Sequence, residues 1–191
     1  MMKHLLIAAA FSIAAGPAMA EPPAGQVYKE GKYFSVVFPQ GWVKKEKAFG
    51  LSDEEKKVFG VEFFGPVADG IAVKIGVRYY APGNLLHKTP EKFIKLHSRP
   101  ALGVNLDGKV YGEVKPGKAG NYYAKVFERK VFEYLPQNAL HPKKIHIYEH
   151  FSVVPVKNGF FVLDYYAPMD MAKANFKAYQ SVLASFKPLV R

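Results

Sequence analysis

Ile71-Ala72-Val73-Lys74-Ile75-Gly76-Val77-Arg78-Tyr79-Tyr80 is the stretch whose pattern sets the fold class. Ile71, Val73, Ile75, Val77 and Tyr79 alternate with Ala72, Lys74, Gly76, Arg78 and Tyr80, and a period of two marks a pleated strand with one apolar face. The same period returns at Ile145, Ile147, Phe151 and Val153. Lys157-Asn158-Gly159 supplies a turn that tolerates positive φ, with residues 160–167 as the hairpin partner, and a two-residue Asn158-Gly159 turn places Asp164 opposite Val153. Asp107-Gly108 predicts a second hairpin between Val104 and Val114. Residues 122–135 read as a long strand, bulged near Glu128 where the apolar side chains change face.

Two helices are expected. Thr89 caps the first, Pro90 takes its first position, Phe93, Ile94 and Leu96 form its buried side, and Pro100 ends it. Asp170 caps the second, whose Ala172, Phe176, Tyr179, Leu183 and Phe186 fall at steps of three and four and leave Lys173, Lys177 and Gln180 wet up to Pro188. Adjacent strand residues point to opposite faces, so the doublets Phe63-Phe64, Tyr79-Tyr80, Tyr122-Tyr123, Phe160-Phe161 and Tyr165-Tyr166 put rings on both sides of a sheet. Both faces then need covering. The expectation is an α+β domain, an antiparallel sheet of about six strands covered by helices.

Residues 1–20 read as a secretory signal, with Lys3, an apolar run over 5–15 and the small residues Ala18-Met19-Ala20 before cleavage. The run is shorter than a membrane span and is followed by Gly16-Pro17, so no transmembrane segment is expected after cleavage. Residues 21–31 read as a flexible leader and 32–191 as a single domain, periplasmic or secreted. The 191-residue chain has no cysteine, hence neither disulfide nor lipidation site, and is expected to be a diffusible monomer.

The formal charge is +11, from 27 Lys and Arg against 16 Asp and Glu. A field of that sign draws a protein toward acidic proteins or anionic membrane surfaces. Nucleic acid is excluded as a partner by the export signal and by the presence of only four arginines, the side chain that reads guanine.

Two segments carry a family resemblance. Tyr33-Phe34-Ser35-Val36-Val37-Phe38-Pro39-Gln40-Gly41-Trp42 resembles the first strand of PsbP-like domains. Gly159-Phe160-Phe161-Val162-Leu163, with the helix ending Ser185-Phe186-Lys187-Pro188, resembles their close, and Gly117-Lys118-Ala119-Gly120-Asn121-Tyr122 their central-strand opening. The resemblance implies an α-β-α sandwich, also found in a yeast Ran-binding import factor, and an accessory role. Photosynthetic members are extrinsic lumenal proteins of photosystem II that help retain calcium and chloride, whereas many bacterial relatives have no known activity. Cyanobacterial members are usually lipoproteins; this chain has no cysteine to acylate.

His146-Ile147-Tyr148-Glu149-His150 fits the H-x-x-E-H pattern of inverted zinc peptidases, which requires a helix to bring both imidazoles to one ion. The β-branched and aromatic neighbours predict a strand instead, in which the histidines stand roughly 13 Å apart. His146, Tyr148 and His150 then form a polar row able to contact a partner or ligand, and Lys74 and Arg78 form another. Asp164 reads as a carboxylate paired with a lysine or tyrosine, and Asp53-Glu54-Glu55 as a solvated turn. Trp42 reads as a core anchor. No nucleophile elbow, phosphate loop or metal-ligand set is present, so no catalytic residue, metal or cofactor is expected. The expected function is a non-enzymatic accessory or binding protein docking on an acidic or anionic partner in the envelope. The alternatives are a lipid or aromatic-metabolite binder using Tyr80 and Tyr165 and, remotely, a metal-dependent hydrolase.

Overall fold

The computed structural model describes residues 25–45, 50–100, 103–104 and 108–190. The expected signal segment, its cleavage point and residues 105–107 of the expected Asp107-Gly108 hairpin lie outside them. In chain order the elements are β1 (Gly25–Glu30), β2 (Phe34–Pro39), β3 (Val43–Lys44), α1 (Asp53–Lys56), β4 (Val58–Ala68), β5 (Ile71–Tyr80), α2 (Pro90–His97), β6 (Val110–Tyr111), β7 (Lys115–Ala119), β8 (Tyr122–Leu135), β9 (Lys143–Val156), β10 (Gly159–Pro168), α3 (Met169–Ser185) and β11 (Lys187–Pro188).

The fold class is α+β, with antiparallel strand pairing. The main sheet runs β3-β4-β5-β10-β9-β8-β6, with β7 also paired to β8; a second sheet runs β1-β2-β11. The main sheet therefore has eight strands rather than about six: five long ones, β4, β5, β8, β9 and β10, and the short pieces β3, β6 and β7 at its margins. Part of the expected leader is also a strand. Residues Gly25–Glu30 pair along the whole of β2, from Gly25 opposite Pro39 to Glu30 opposite Phe34.

One face of the main sheet is covered by α3 and, beside it, by the second sheet. Phe34, Val36 and Phe38 of β2 join Phe63, Val73, Ile75, Val77, Phe161, Leu163 and Tyr165 of the main sheet and Tyr179, Val182 and Phe186 of α3 and its end in one core. On the opposite face α2 lays Phe93 and Ile94 against Val58, Tyr80, Phe127, Phe151, Val153, Phe160 and Val162. Thr89 caps α2 as expected, its hydroxyl accepting from the Lys92 amide at 3.2 Å. Leu96 is 54% exposed, because Phe93, Ile94 and His97 make up the inward side of so short a helix.

Several local expectations give way to sheet geometry. Gly159 pairs with Val156, so Lys157-Asn158 is the two-residue loop and Asp164 stands opposite Phe151 instead of Val153. β8 stays in register with β9 from Lys125 to Leu135, with no bulge at Glu128. Its apolar residues change face because Ala124 and Val126 lie in the α3-side core while Val131 and Leu135 pack with Ile71, Ile145 and Ile147 on the other side. The irregularity falls instead in β4, between Phe64 and Val67. Val110–Tyr111 pairs with β8. α3 begins after Pro168, which leaves Asp170 in its first turn. Tyr122 and Tyr123 are exposed, since both lie at the sheet's outer end. Asp53–Lys56 is a one-turn helix with a Ser52–Glu55 capping box, and Trp42 is half-buried against Gly65.

α3 is fastened to the sheet by a buried polar knot. The fully buried Tyr179 hydroxyl donates to the Leu163 carbonyl at 2.9 Å and lies 3.0 Å from the Oγ of buried Ser152. Replacing Tyr179 by Phe strands these groups away from water and is expected to lower stability by about 1–2 kcal/mol. Denaturant melts of Tyr179→Phe and of the Tyr179→Phe/Ser152→Ala pair check this. An unshifted midpoint in the single variant refutes it.

Candidate functional site

The two polar rows read from the sequence lie on opposite faces. On β9, Tyr148 stands opposite Lys130, His150 opposite Glu128 and His146 opposite Phe132, all toward α3. Lys74 and Arg78 point the other way with Tyr80, so the rows do not adjoin. His146-to-His150 is extended strand, the conformation that sets the two imidazoles apart.

Lys74 and Arg78 have partners within the sheet. The Lys74 ammonium sits 4.2 Å from the centre of the Tyr166 ring. Arg78 bonds Asp164 through Nη1 and Glu62 at 2.8 Å through Nη2, and Glu62 also accepts from Lys45 at 2.9 Å. The geometry needs Gly76: a Cβ there would fall 2.5 Å from Asp164 Oδ1 and 2.8 Å from Arg78 Nη1. Burial pushes the Asp164 carboxyl up and Arg78 pulls it back, while the neighbouring carboxylates hold Arg78 firmly charged. Arg129 grips Glu149 next along the same face. Asp164 is thus paired as expected, though with arginine. This band ties strands together.

The α3 face offers a receptive arrangement. His150 lies beneath the helix, its ring 5.4 Å from Phe176 and 5.3 Å from Tyr179, and burial depresses its pKa. His146 is exposed at the far end of the row. Between them, near the start of α3, helix and sheet leave an open groove of about 580 Å³. Its floor is Tyr148, Ala172 and Phe176, with Met169 at the end. Its rim is Lys130 of β8 and Lys173 and Lys177, one turn apart on α3. Glu128, also on the lining, accepts a 2.6 Å hydrogen bond from the Tyr148 hydroxyl, whose pKa is raised by burial and then by that bond.

Of the residues singled out from sequence, only Tyr148 lines this groove. Lys173, Lys177 and Phe176 were legible as a wet helix face and an apolar stripe, but nothing in the sequence set Lys130 of β8 beside them. Tyr80 and Tyr165 share no pocket. Tyr80 stacks on Phe160 on the α2 face, whereas the Tyr165 hydroxyl donates to the Ala172 carbonyl beneath α3 at 2.9 Å. A second open cavity, about 620 Å³, lies over the Arg78 end of the α2 face, bordered by Lys44, Lys45, Lys56, Leu51, Tyr80 and Leu86. Among the described residues no helix is long and apolar enough to cross a membrane.

No protein-family model matches the chain, and no curated protein matches it. Solved structures do. A Bacteroides thetaiotaomicron VPI-5482 protein matches at 15% identity and TM-score 0.50 over 86% of this chain, which spans about half (48%) of that protein. LpqN, involved in cell envelope biogenesis of Mycobacterium tuberculosis, matches at 14% identity and TM-score 0.48 over 88% of this chain and 87% of its own. The cyanobacterial PsbP (CyanoP) of Synechocystis sp. PCC 6803 matches at 16% identity and TM-score 0.48 over 91% of this chain and 98% of its own. At 15% identity the first of these likenesses is one of fold alone.

Proposed function

We propose that this chain is an exported, non-enzymatic accessory protein of the cell envelope that docks on an acidic protein partner through the groove between α3 and the β8–β9 strands. The observation that carries the reading is the rim of Lys130, Lys173 and Lys177 around an aromatic floor, with the one lining carboxylate, Glu128, held by Tyr148. Such a site fits an acidic segment that rests one apolar or aromatic side chain on the edge-to-face pair Tyr148 and Phe176. The chain's charge of +11 speeds encounter with such a partner. His150 and Tyr179 support the floor from below, and Lys74 and Arg78 serve the sheet.

The test places a photo-crosslinking side chain at Gln180, on the groove lining, in exporting cells. An acidic envelope protein is expected in the adduct. Its yield should fall at least about tenfold in the Lys130→Glu/Lys173→Glu/Lys177→Glu variant, and steeply as salt shortens the Debye length from about 10 Å at 0.1 M to about 3 Å at 1 M. Capture equal in variant and parent, or insensitive to salt, refutes the docking surface. A groove of this volume and lining also suits a small amphipathic anion, and a thermal shift with fatty acids in place of a protein adduct would select that occupant.

A further inference from the structure

The chain presents Leu85 and Leu86 side by side in solvent, 64% and 55% exposed. Adjacent leucines on a slack loop would fold down onto the protein surface, but this loop is held rigid. Asn84, only 8% exposed, donates from Nδ2 to the carbonyls of Ala81 (2.9 Å) and His87 (2.7 Å). Its Oδ1 accepts from the amides of Leu86 (3.1 Å) and His87 (2.7 Å), so every hydrogen-bonding site of the amide is used. Gly83, at φ +72°, takes a backbone conformation that a side chain would strain. The loop is also sewn to the C-terminal end of α1, through Ala81 N to Lys57 O and Leu85 N to Lys56 O, both at 3.0 Å. The His87 ring wedges against Tyr80 and Phe93. Ordering this backbone while leaving both leucines outside means that the sequence specifies their exposure.

Leu51, 54% exposed, borders the same cavity as Leu86, which extends the apolar tip. Lys44, Lys45 and Lys56 border that cavity, and Lys57 and Lys88 are exposed beside the loop. Of the acidic groups on the cavity, Glu62 is held by Lys45 and Arg78, and Asp53 lies 3.7 Å from Lys56; Glu54 is the third. Apolar side chains fixed at a rigid tip and flanked by lysines suit an anionic bilayer, where the leucines enter the headgroup boundary and the ammonium groups meet phosphates.

We infer that the Asn84-pinned loop, with Leu85 and Leu86 at its tip and Leu51 beside it, is a contact for the surface of an anionic lipid bilayer. It lies at the Phe160 end of β10, whereas the groove opens near the Pro168 end, roughly 25 Å along the strand. The two surfaces can therefore be engaged together.

The experiment is co-sedimentation of the chain with vesicles of phosphatidylcholine alone or of phosphatidylcholine and phosphatidylglycerol in equal parts. The expected result is sedimentation with the anionic vesicles only. Leu85→Ser/Leu86→Ser should reduce it at least ~10-fold without lowering the melting temperature, since two leucines lose their burial in the bilayer. The milder Lys130→Gln/Lys173→Gln/Lys177→Gln variant should keep most of the parent's sedimentation, which keeps this test separate from that of the groove. No sedimentation, or sedimentation equal in the leucine variant and the parent, overturns the proposal whatever the groove variant does.

Discussion

Replacing Arg78 by Met is expected to cost about 3 kcal/mol of stability and to lower the melting temperature by roughly 6–12 °C. The side chains of Glu62 and Asp164 are only 14% and 15% exposed, and both carboxylates face one guanidinium. With the guanidinium gone, Asp164 has Gly76 and the Phe151 ring as its cross-strand neighbours, a poor setting for a charge. Because Arg78 is itself about a third exposed, the expected loss sits at the lower end of the range for breaking buried pairs. Two further results separate this cause from lost packing. Adding Asp164→Asn to Arg78→Met removes one stranded charge and should recover part of the loss. The penalty of the single variant should also shrink in acid, where Asp164 takes up a proton. An Arg78→Met protein that melts within a degree of the parent, or a double variant that recovers nothing, contradicts the assignment.

The ion band shows where sequence reading stops. Asp164 was legible as a charge on an apolar strand face in need of a partner, but its partner lies 86 residues away and is fixed only by strand order. β5 was legible because a half-buried central strand must alternate; β1 was not, because its Val27 is 73% exposed and its place depends on β2. The bulge read at Glu128 arose from taking a change of apolar face as a change of register. In fact β8 runs straight from beneath the α3-side core to the opposite cluster around Ile147. The groove follows the same logic. Tyr148 and the α3 lysines each follow from local pattern, whereas their meeting follows from a helix laid across two strands.

Acid is expected to destabilise the fold through His97, beginning near neutrality. This residue is the innermost polar group of α2. Its ring packs 4.3 Å from Phe93, 5.6 Å from Phe151 and 5.6 Å from His87, and neither ring nitrogen has a hydrogen-bond partner or contact with solvent. The charged group facing it is the Arg129 guanidinium, 5.2 Å from the Phe151 ring. Burial first, then Arg129 and His87, lower its pKa to about 4 from the ordinary 6.5. The folded pKa lies below the unfolded one, so the folded state refuses a proton that the unfolded chain accepts. Full stability is therefore present above pH ~6.5 and falls by as much as ~1.4 kcal/mol per pH unit toward pH ~4, on the order of 3 kcal/mol in all. Burial lowers His87 and His150 in the same direction, and the depressed pKa of Glu62 adds to the loss further into acid. Asp164, with its raised pKa, opposes them near the carboxylate range. His97→Leu, close in volume and unable to charge, should flatten the dependence between pH 6.5 and 4 while matching or exceeding the parent's stability in acid. Urea midpoints measured across that window decide the matter: parallel curves for parent and variant would show that the unpartnered imidazole is not the group that titrates.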